Sequence, residues 1–549
     1  MRLKKVYTIG FLAISLLAAS AFYPPTDKYF EIARNLDIFA SLFKEVNAFY
    51  VDEIDPEKSI RTGIDAMLKS LDPYTYFIPE EDIAAYRTMT TGEYGGIGAL
   101  IGQIKNKVVI TMPNEGFPAH KAGLRIGDEI IKVNGVSTLG KNTNEVSKLL
   151  KGAAGTGLTV TVKRQGETLE FKLTRAKIII DNVPYFGMVS KDVGYIKLAE
   201  FTTHAAKEVN DALISLKKRG ATKVILDVRG NPGGILQEAV GICNIFIPKN
   251  MPVVETKGKT PTWNKIYRTT GRPVDTNIPL VVLTGSGSAS AAEIVSGTIQ
   301  DYDRGVLIGR KTFGKGLVQT TRPLGYNSQV KLTVAKYYTP SGRCIQAIDY
   351  SHRNPDGSVG KIPDSLKVAF KTSHGRTVYD GGGITPDVEV AAAYYAAVTV
   401  SLLTEGHIFN YANKYYYAHP QAPERESFVV TDAIYNDFLA WADSIPLTYD
   451  SDLEVALKEF SAAAKSSSHY AVVKPEIETL AKEIAHNQAN DLITYQQEIR
   501  DVLAEQIVAR YYLRKGEIAN AITHDPDVDK AIEILNDSLR YTQLLSLNP

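Results

Sequence analysis

The chain has 549 residues, 44% hydrophobic and 22% charged, with a formal net charge of +1. That length exceeds what one hydrophobic core usually supports, so several domains are expected, and the ordinary composition excludes a long disordered chain or a polytopic membrane protein. A near-zero charge supplies no broad field for nucleic acid or an anionic surface, so no nucleic-acid partner is expected.

Arg2, Lys4 and Lys5 precede an apolar run from Val6 to Ala19 that ends in Ala19-Ser20-Ala21. This is the form of a Sec-type export signal over residues 1–21 with a small-x-small cleavage site. The alternative is an uncleaved membrane anchor, although the run is short beside the ~20 residues of a full span. Export implies an oxidising compartment, yet Cys243 and Cys344 are the only cysteines, too few for a disulfide framework. They either pair or stay as small core residues. No Cys/His cluster has zinc-ligand spacing, so no metal and no cofactor is expected.

Residues 22–88 read as a helical region in which Ile32, Leu36, Phe39, Phe43 and Val46 share one face. Turn chemistry follows in Leu71-Asp72-Pro73-Tyr74, and Pro79-Glu80-Glu81-Asp82 is a new helix start. From residue 89 to 175 short β-rich runs appear (Val108–Thr111, Glu129–Gly135, Leu158–Val162), with a short amphipathic helix at Asn144–Leu150. A small β-barrel is the economical reading.

Within residues 176–390 strands alternate with helices: Lys223–Val228, a helix near Leu236–Phe246, Pro279–Leu283, and a helix near Ala291–Tyr302, followed by β-rich Gln329–Tyr338. Buried β-branched strands separated by helices imply an α/β layer with a mainly parallel sheet. Residues 391–549 turn helical, with Ile477, Leu480, Ile484 and then Leu492, Tyr495, Ile499, Val502 at spacings of three and four.

The segment Thr284-Gly285-Ser286-Gly287-Ser288-Ala289-Ser290-Ala291-Ala292-Glu293 joins a buried strand to an amphipathic helix. Such a junction exposes a side chain and gathers backbone N–H groups that stabilise an oxyanion. Ser290-x-x-Glu293 is equally a capping box, worth ~1 kcal/mol through its N-cap. Three further segments bear on the choice. Lys315 stands between glycines in Thr312-Phe313-Gly314-Lys315-Gly316-Leu317-Val318-Gln319; Asp227-Val228-Arg229-Gly230-Asn231-Pro232-Gly233-Gly234 leaves the end of a strand; Gly95-Gly96-Ile97-Gly98-Ala99-Leu100 opens the small β-rich domain.

Together with Leu71-Asp72-Pro73 and Tyr338-Thr339-Pro340-Ser341-Gly342-Arg343, these motifs resemble the C-terminal processing peptidases, over residues 60 to 390 and in the family's order. The resemblance implies a multidomain α/β protein: a crotonase-like serine protease core, an inserted PDZ-like β-barrel, an N-terminal helical region and a C-terminal helical tail. It implies an ATP-independent endopeptidase with Ser290 rather than Ser288 as nucleophile, Lys315 as general base and Gln319 positioning the base. The amides of Ala291 and Gly233 would form the oxyanion hole, with Gly234 as a substitute for Gly233. Lys315 lies 25 residues after Ser290, which fits the family's dyad. A neutral lysine can take the serine proton and return it to the leaving amine, so its pKa must fall from ~10.4 to about 7 or 8 by burial.

Gly95, Gly96, Ile97, Gly98 and Ala99 resemble a PDZ carboxylate-binding loop, which implies protein or peptide substrates with apolar C-terminal tails. The overall pattern resembles bacterial members, which implies a periplasmic location, free or anchored to the inner membrane. The tail leaves a homodimer, restricted access to the site and an adaptor protein open as roles. Ala292 and Cys344 stand where many relatives carry Ser, and Arg310 where an acidic residue is frequent. Three other functions compete. Gly309-x-x-x-x-Gly314-Lys315-Gly316 approaches a P-loop but lacks the Ser/Thr and runs into a strand. Retinoid-binding repeats resemble the same α/β core without catalysis, a reading the Ser290/Lys315 pair opposes. A regulatory scaffold is the third.

Overall fold

The computed structural model describes residues 26–392, 394–442, 447, 449–488 and 490–546. The expected signal at 1–21 lies outside them. The chain forms two compact units, Met1–Phe77 and Ile78–Pro549. In the first, helix α1 (Thr26–Phe49) is followed by α2 (Pro56–Lys69), which Asp55 caps by accepting Lys58 N–H at 3.1 Å. The face of α1 read from the sequence is largely exposed: Leu36 at 64% and Phe39 at 50%. Among the described residues no helix is long and apolar enough to cross a membrane.

The second unit begins with α3 (Ile83–Thr91) and a short strand β1 (Glu93–Gly96). A sheet follows of β2 (Ala99–Ile104), β3 (Lys107–Pro113), β4 (Glu129–Val133), β5 (Gly157–Arg164) and β6 (Glu167–Thr174), with helix α4 (Thr143–Leu150) packed on it. Val108, Ile110, Ile130, Val160 and Val162 of the strands and Val146 of α4 form its core, with β5 alternating buried and half-buried residues over Leu158–Val162. Strand β7 (Ala176–Ile179) returns to pair antiparallel with β1. Strand β2 stands at the edge of this sheet, pairing with β3 alone among the described residues.

The α/β layer is a sheet in the order β8 (Tyr185–Met188), β9 (Val193–Lys197), β10 (Lys223–Asp227), β13 (Leu280–Thr284), β14 (Val306–Gly309), β17 (Val388–Glu389). Strands β11 (Pro252–Gly258), β12 (Lys265–Arg268), β15 (Leu317–Pro323) and β16 (Gln329–Tyr338) belong to a separate antiparallel sheet. From β9 to β17 the α/β pairings are parallel, as the buried β-branched runs require. Helices α5 (Ala205–Lys218), α6 (Leu236–Phe246) and α7 (Ala291–Asp301) cover one face, burying Leu226, Val282 and Leu307.

The opposite face, with Ile225, Val281, Leu283 and Ile308, is covered by the end of the chain. Helices α8 (Ala397–Thr404), α9 (His407–Ala418) and α10 (Asp432–Ala442) pack with the first half of α13 (Gln496–Ala521), while α11 (Asp452–Lys465) and α12 (Tyr470–Gln488) form a hairpin. Helix α13 breaks at Leu513 (φ 55°, ψ −149°). Then α14 (Pro526–Asn536) and α15 (Ser538–Leu544) lie on the sheet, burying Val528, Ala531, Ile534 and Leu535. Residues 391–549, expected as a C-terminal helical domain, thus also close the second apolar face of the parallel sheet, which the helices within 176–390 leave uncovered.

Candidate active site

Strands β10, β13 and β14 run parallel, so the loops after them, 228–235, 285–290 and 310–316, emerge at one edge of the sheet, where open α/β sheets hold their ligands. Backbone hydrogen bonds tie the three together. Ala289 N–H donates to Asn231 C=O at 2.9 Å and Phe313 N–H to Ser288 C=O at 3.0 Å.

Ser290 ends the middle loop in a left-handed conformation (φ 54°, ψ −111°) that costs a non-glycine residue on the order of 1–3 kcal/mol and persists only where its surroundings impose it. Those surroundings are visible. Ser290 N–H donates to Glu293 Oε2 at 2.9 Å, and its carbonyl accepts the hydroxyl of fully buried Tyr337 at 3.1 Å. A sharp, strained strand-to-helix turn is the geometry that lifts a nucleophilic hydroxyl clear of a sheet. The other candidate, Ser288, is wholly buried and structural: its hydroxyl donates to Val228 C=O at 2.8 Å and accepts Gly285 N–H at 3.0 Å.

Lys315 reaches the same place through Glu293. That carboxylate is completely buried on α7 and accepts four donors: Ser290 N–H and Lys315 N–H on Oε2, Gly314 N–H and the Thr312 hydroxyl on Oε1. Burial pushes its pKa up, opposed by those donors. Of the capping box expected at Ser290-x-x-Glu293 the acidic arm forms, Glu293 accepting Ser290 N–H, and it also carries the Lys315 loop, while Glu293 N–H donates to the Ser290 carbonyl at 2.9 Å. Gln319 sits at a register shift in the β15–β16 pairing, and its side-chain N–H donates to Thr333 Oγ1 at 3.2 Å. A bulge of this kind re-aims a side chain.

Ser290, Ala291, Lys315, Gln319, Gly233 and Gly234 all line one cavity of about 660 Å³. Ala291 is the first residue of α7. Gly233 N–H, the other expected oxyanion donor, is turned onto Asn231 Oδ1 at 2.8 Å, closing a local Asx turn. Gly233 itself must be glycine. A Cβ there would stand 2.7 Å from Ala289 O and 2.8 Å from Ala291 N.

The glycine-rich loop is in the small β domain. Gly95 and Gly96 lie in β1, Ile97 is buried, Gly98 takes φ 69° and Ala99 opens β2. The carbonyls of Ile97 and Gly98 are used inside the domain, accepting Ala119 N–H and Asn114 N–H. Of these five residues, Gly95 lines a second cavity, of about 980 Å³, with Ser147, Lys148 and Lys151. Both cysteines are free thiols; Cys243 is buried, its pKa pushed up to about 12. Among the described residues no cluster of metal-ligating side chains occurs.

The profile of Peptidase family S41 matches residues 192–364, that of a PDZ domain residues 109–164, and that of a probable PDZ-protease, C-terminal helical domain, residues 398–535. A carboxy-terminal-processing protease of Bartonella bacilliformis is 37% identical over 328 residues, 58% of this chain and 74% of the relative. The chain belongs to the carboxy-terminal-processing proteases. A probable CtpA-like serine protease of Staphylococcus aureus is 37% identical over 57% of this chain and 62% of that one. A solved photosystem II D1 C-terminal processing protease is 28% identical, covering 67% of this chain and 96% of that chain, with a TM-score of 0.35.

This carboxy-terminal-processing protease is therefore a serine-type peptidase with a PDZ domain and a C-terminal helical domain on a multidomain α/β fold. Its site uses residues that sequence reasoning passed over. Glu293 was legible only as a helix cap, and Asn231 only as part of a motif. Tyr337 had no local signal at all, since it reaches Ser290 across 47 positions of sequence.

Proposed function

We propose that this protease hydrolyses peptide bonds with a Ser290/Lys315 dyad, without ATP, on substrates whose apolar C-terminal tails are held by the PDZ domain. Lys315 Nζ takes the Ser290 Oγ proton as Oγ attacks the scissile carbonyl. The tetrahedral oxyanion is met by Ala291 N–H at the start of α7 and by a second amide of the 228–235 loop. Gly234 supplies that amide, or Gly233 once its N–H leaves Asn231. Collapse passes the proton to the leaving amine and leaves an acyl ester on Ser290, which water hydrolyses with Lys315 again as base. Gln319 positions Lys315.

The observation that carries this reading is the shared Glu293 carboxylate, which fixes the backbones of Ser290 and Lys315 at the wall of one cavity. The strained Ser290 conformation supports it. For tail capture, the support is the open edge of β2 directly after the Gly95–Ala99 loop, where an extended peptide can add as a strand. We also place the protein in the periplasm, exported by residues 1–21; fractionation of cells producing the tagged chain tests that.

The deciding experiment is cleavage of an unfolded reporter with an apolar C-terminal tail, without ATP, by wild type, Ser290→Ala and Lys315→Ala. Cleavage by wild type alone is expected. Equal cleavage by all three overturns the dyad, and equal cleavage of a reporter with a charged tail overturns tail selection.

A further inference from the structure

Two arginines stand at the roots of the two loops that flank Ser290. Arg229 is four residues before Gly233, and Arg310 is five residues before Lys315. Each is anchored to the sheet. Arg229 grips Asp227, at the end of β10, by Nη2 at 2.7 Å and by its own N–H at 2.8 Å. Arg310 N–H donates to Thr284 C=O at 2.9 Å, and Thr284 Oγ1 returns a bond to Arg310 C=O at 2.9 Å.

The guanidinium ends of both meet one oxygen. Asp527 Oδ2 accepts Arg229 Nη1 at 2.7 Å and Arg310 Nη2 at 2.8 Å, while Asp525 takes Arg229 again at 2.9 and 2.6 Å. Asp525 is the N-cap of α14, accepting Asp527 N–H and Val528 N–H. The segment that ends the chain thus delivers a carboxylate, 1% exposed, to the two loops from behind the sheet. Arg310 carries the second guanidinium that meets this carboxylate. Its basic side chain is matched to the carboxylate that this chain's own C-terminal segment supplies.

We propose that Asp527 is a positioning residue for catalysis: by holding Arg229 and Arg310 on one oxygen it sets the spacing of the 228–235 and 310–316 loops. The helical C-terminal segment is then part of the catalytic apparatus, and its seating on the sheet sets turnover. This rests on the reading of Ser290 and Lys315 as the dyad. A misplacement of ~1 Å at reacting groups can cost on the order of 100-fold in rate.

Asp527→Asn, Asp527→Glu and Arg310→Gln are compared in the full-length protein for kcat, KM, the rate of Ser290 labelling by a fluorophosphonate, and melting temperature. Arg310 is 31% exposed, so Arg310→Gln keeps the test open should Asp527→Asn fold poorly. The expected result is a fall of about 10- to 100-fold in kcat and labelling rate with KM unchanged, in folded protein. The double variant Asp527→Asn/Arg310→Gln should be no worse than the worse single, because the two act through one contact, and Asp527→Glu should recover part of the loss. Wild-type labelling in both singles, or a loss that tracks the unfolded fraction, overturns the proposal. Ser290→Ala is the control: if it still labels and cleaves, the dyad falls and this proposal with it; if it is inert while the singles match wild type, this proposal alone falls.

Discussion

The backbone N–H groups of Ser290 and Lys315 donate to the same oxygen, Glu293 Oε2, each at 2.9 Å. Every group facing that carboxylate is a donor, so an amide there sets N–H against N–H. Glu293→Gln should lower stability by about 1–3 kcal/mol, the cost of a buried unsatisfied donor, and lower turnover further than folding accounts for. Thermal unfolding beside peptide cleavage measures both, and wild-type values for the two would remove Glu293 from the site.

Gly233→Ala places a Cβ 2.7 Å from Ala289 O and from Ser290 Cβ, at φ 93°. Backbone cannot swing away as a side-chain tip can, so the Ser290 turn must shift, and a loss of at least about 100-fold in kcat is expected. Gly230→Ala is the control, since its φ of 70° faces open space. It should cost about 1–2 kcal/mol of stability and leave most activity. Similar activity in the two variants contradicts the argument.

Arg343 is 2% exposed and pairs with Asp301 at 2.7 Å and Gln300 at 2.8 Å at the far end of α7, where Asp301 also accepts Ser341 N–H. Removing one member of a buried pair strands the other charge. Arg343→Ala should cost about 3–5 kcal/mol in urea unfolding. A cost below ~1 kcal/mol would mean that water reaches Asp301.

His524 Nε2 lies 2.8 Å from Glu505 Oε1, and that bond, opposed by burial, raises its pKa. A raised folded pKa adds stability that is complete below the unfolded value of ~6.5 and lost as pH climbs through the folded one. Both groups are partly exposed, at 29% and 18%, so the gain is under about 1 kcal/mol. Glu505→Gln should flatten the fall in melting temperature between pH ~6 and ~8; an unchanged slope assigns that fall elsewhere.

Local pattern carried much of this protein. Helix α6 at Leu236–Phe246 and strand β16 at Gln329–Tyr338 have the bounds that their periodicity predicts, because a repeat of apolar residues commits the backbone within one or two turns. Six of the site residues named from motifs line one cavity: Gly233, Gly234, Ser290, Ala291 and Lys315 follow strands of a parallel sheet, whose connections bring such loops to one edge, and Gln319 joins them from β15 of the antiparallel sheet.

What sequence could not reach are contacts between segments far apart along the chain. The helices α14 and α15 that seal the back of the sheet read from sequence only as part of a C-terminal helical tail. Their amphipathic pattern states that a face is buried, never against what. Arg229 meets Asp527 across 298 positions, and Gly233 donates to Asn231 rather than to the cavity. The sequence by itself determined many of the elements and the family and named the candidate site residues, since those rest on near neighbours and short motifs. Tertiary structure alone decided that one buried glutamate joins Ser290 to the Lys315 loop and that helices α14 and α15 complete the core, because only folding sets which distant groups share a desolvated site.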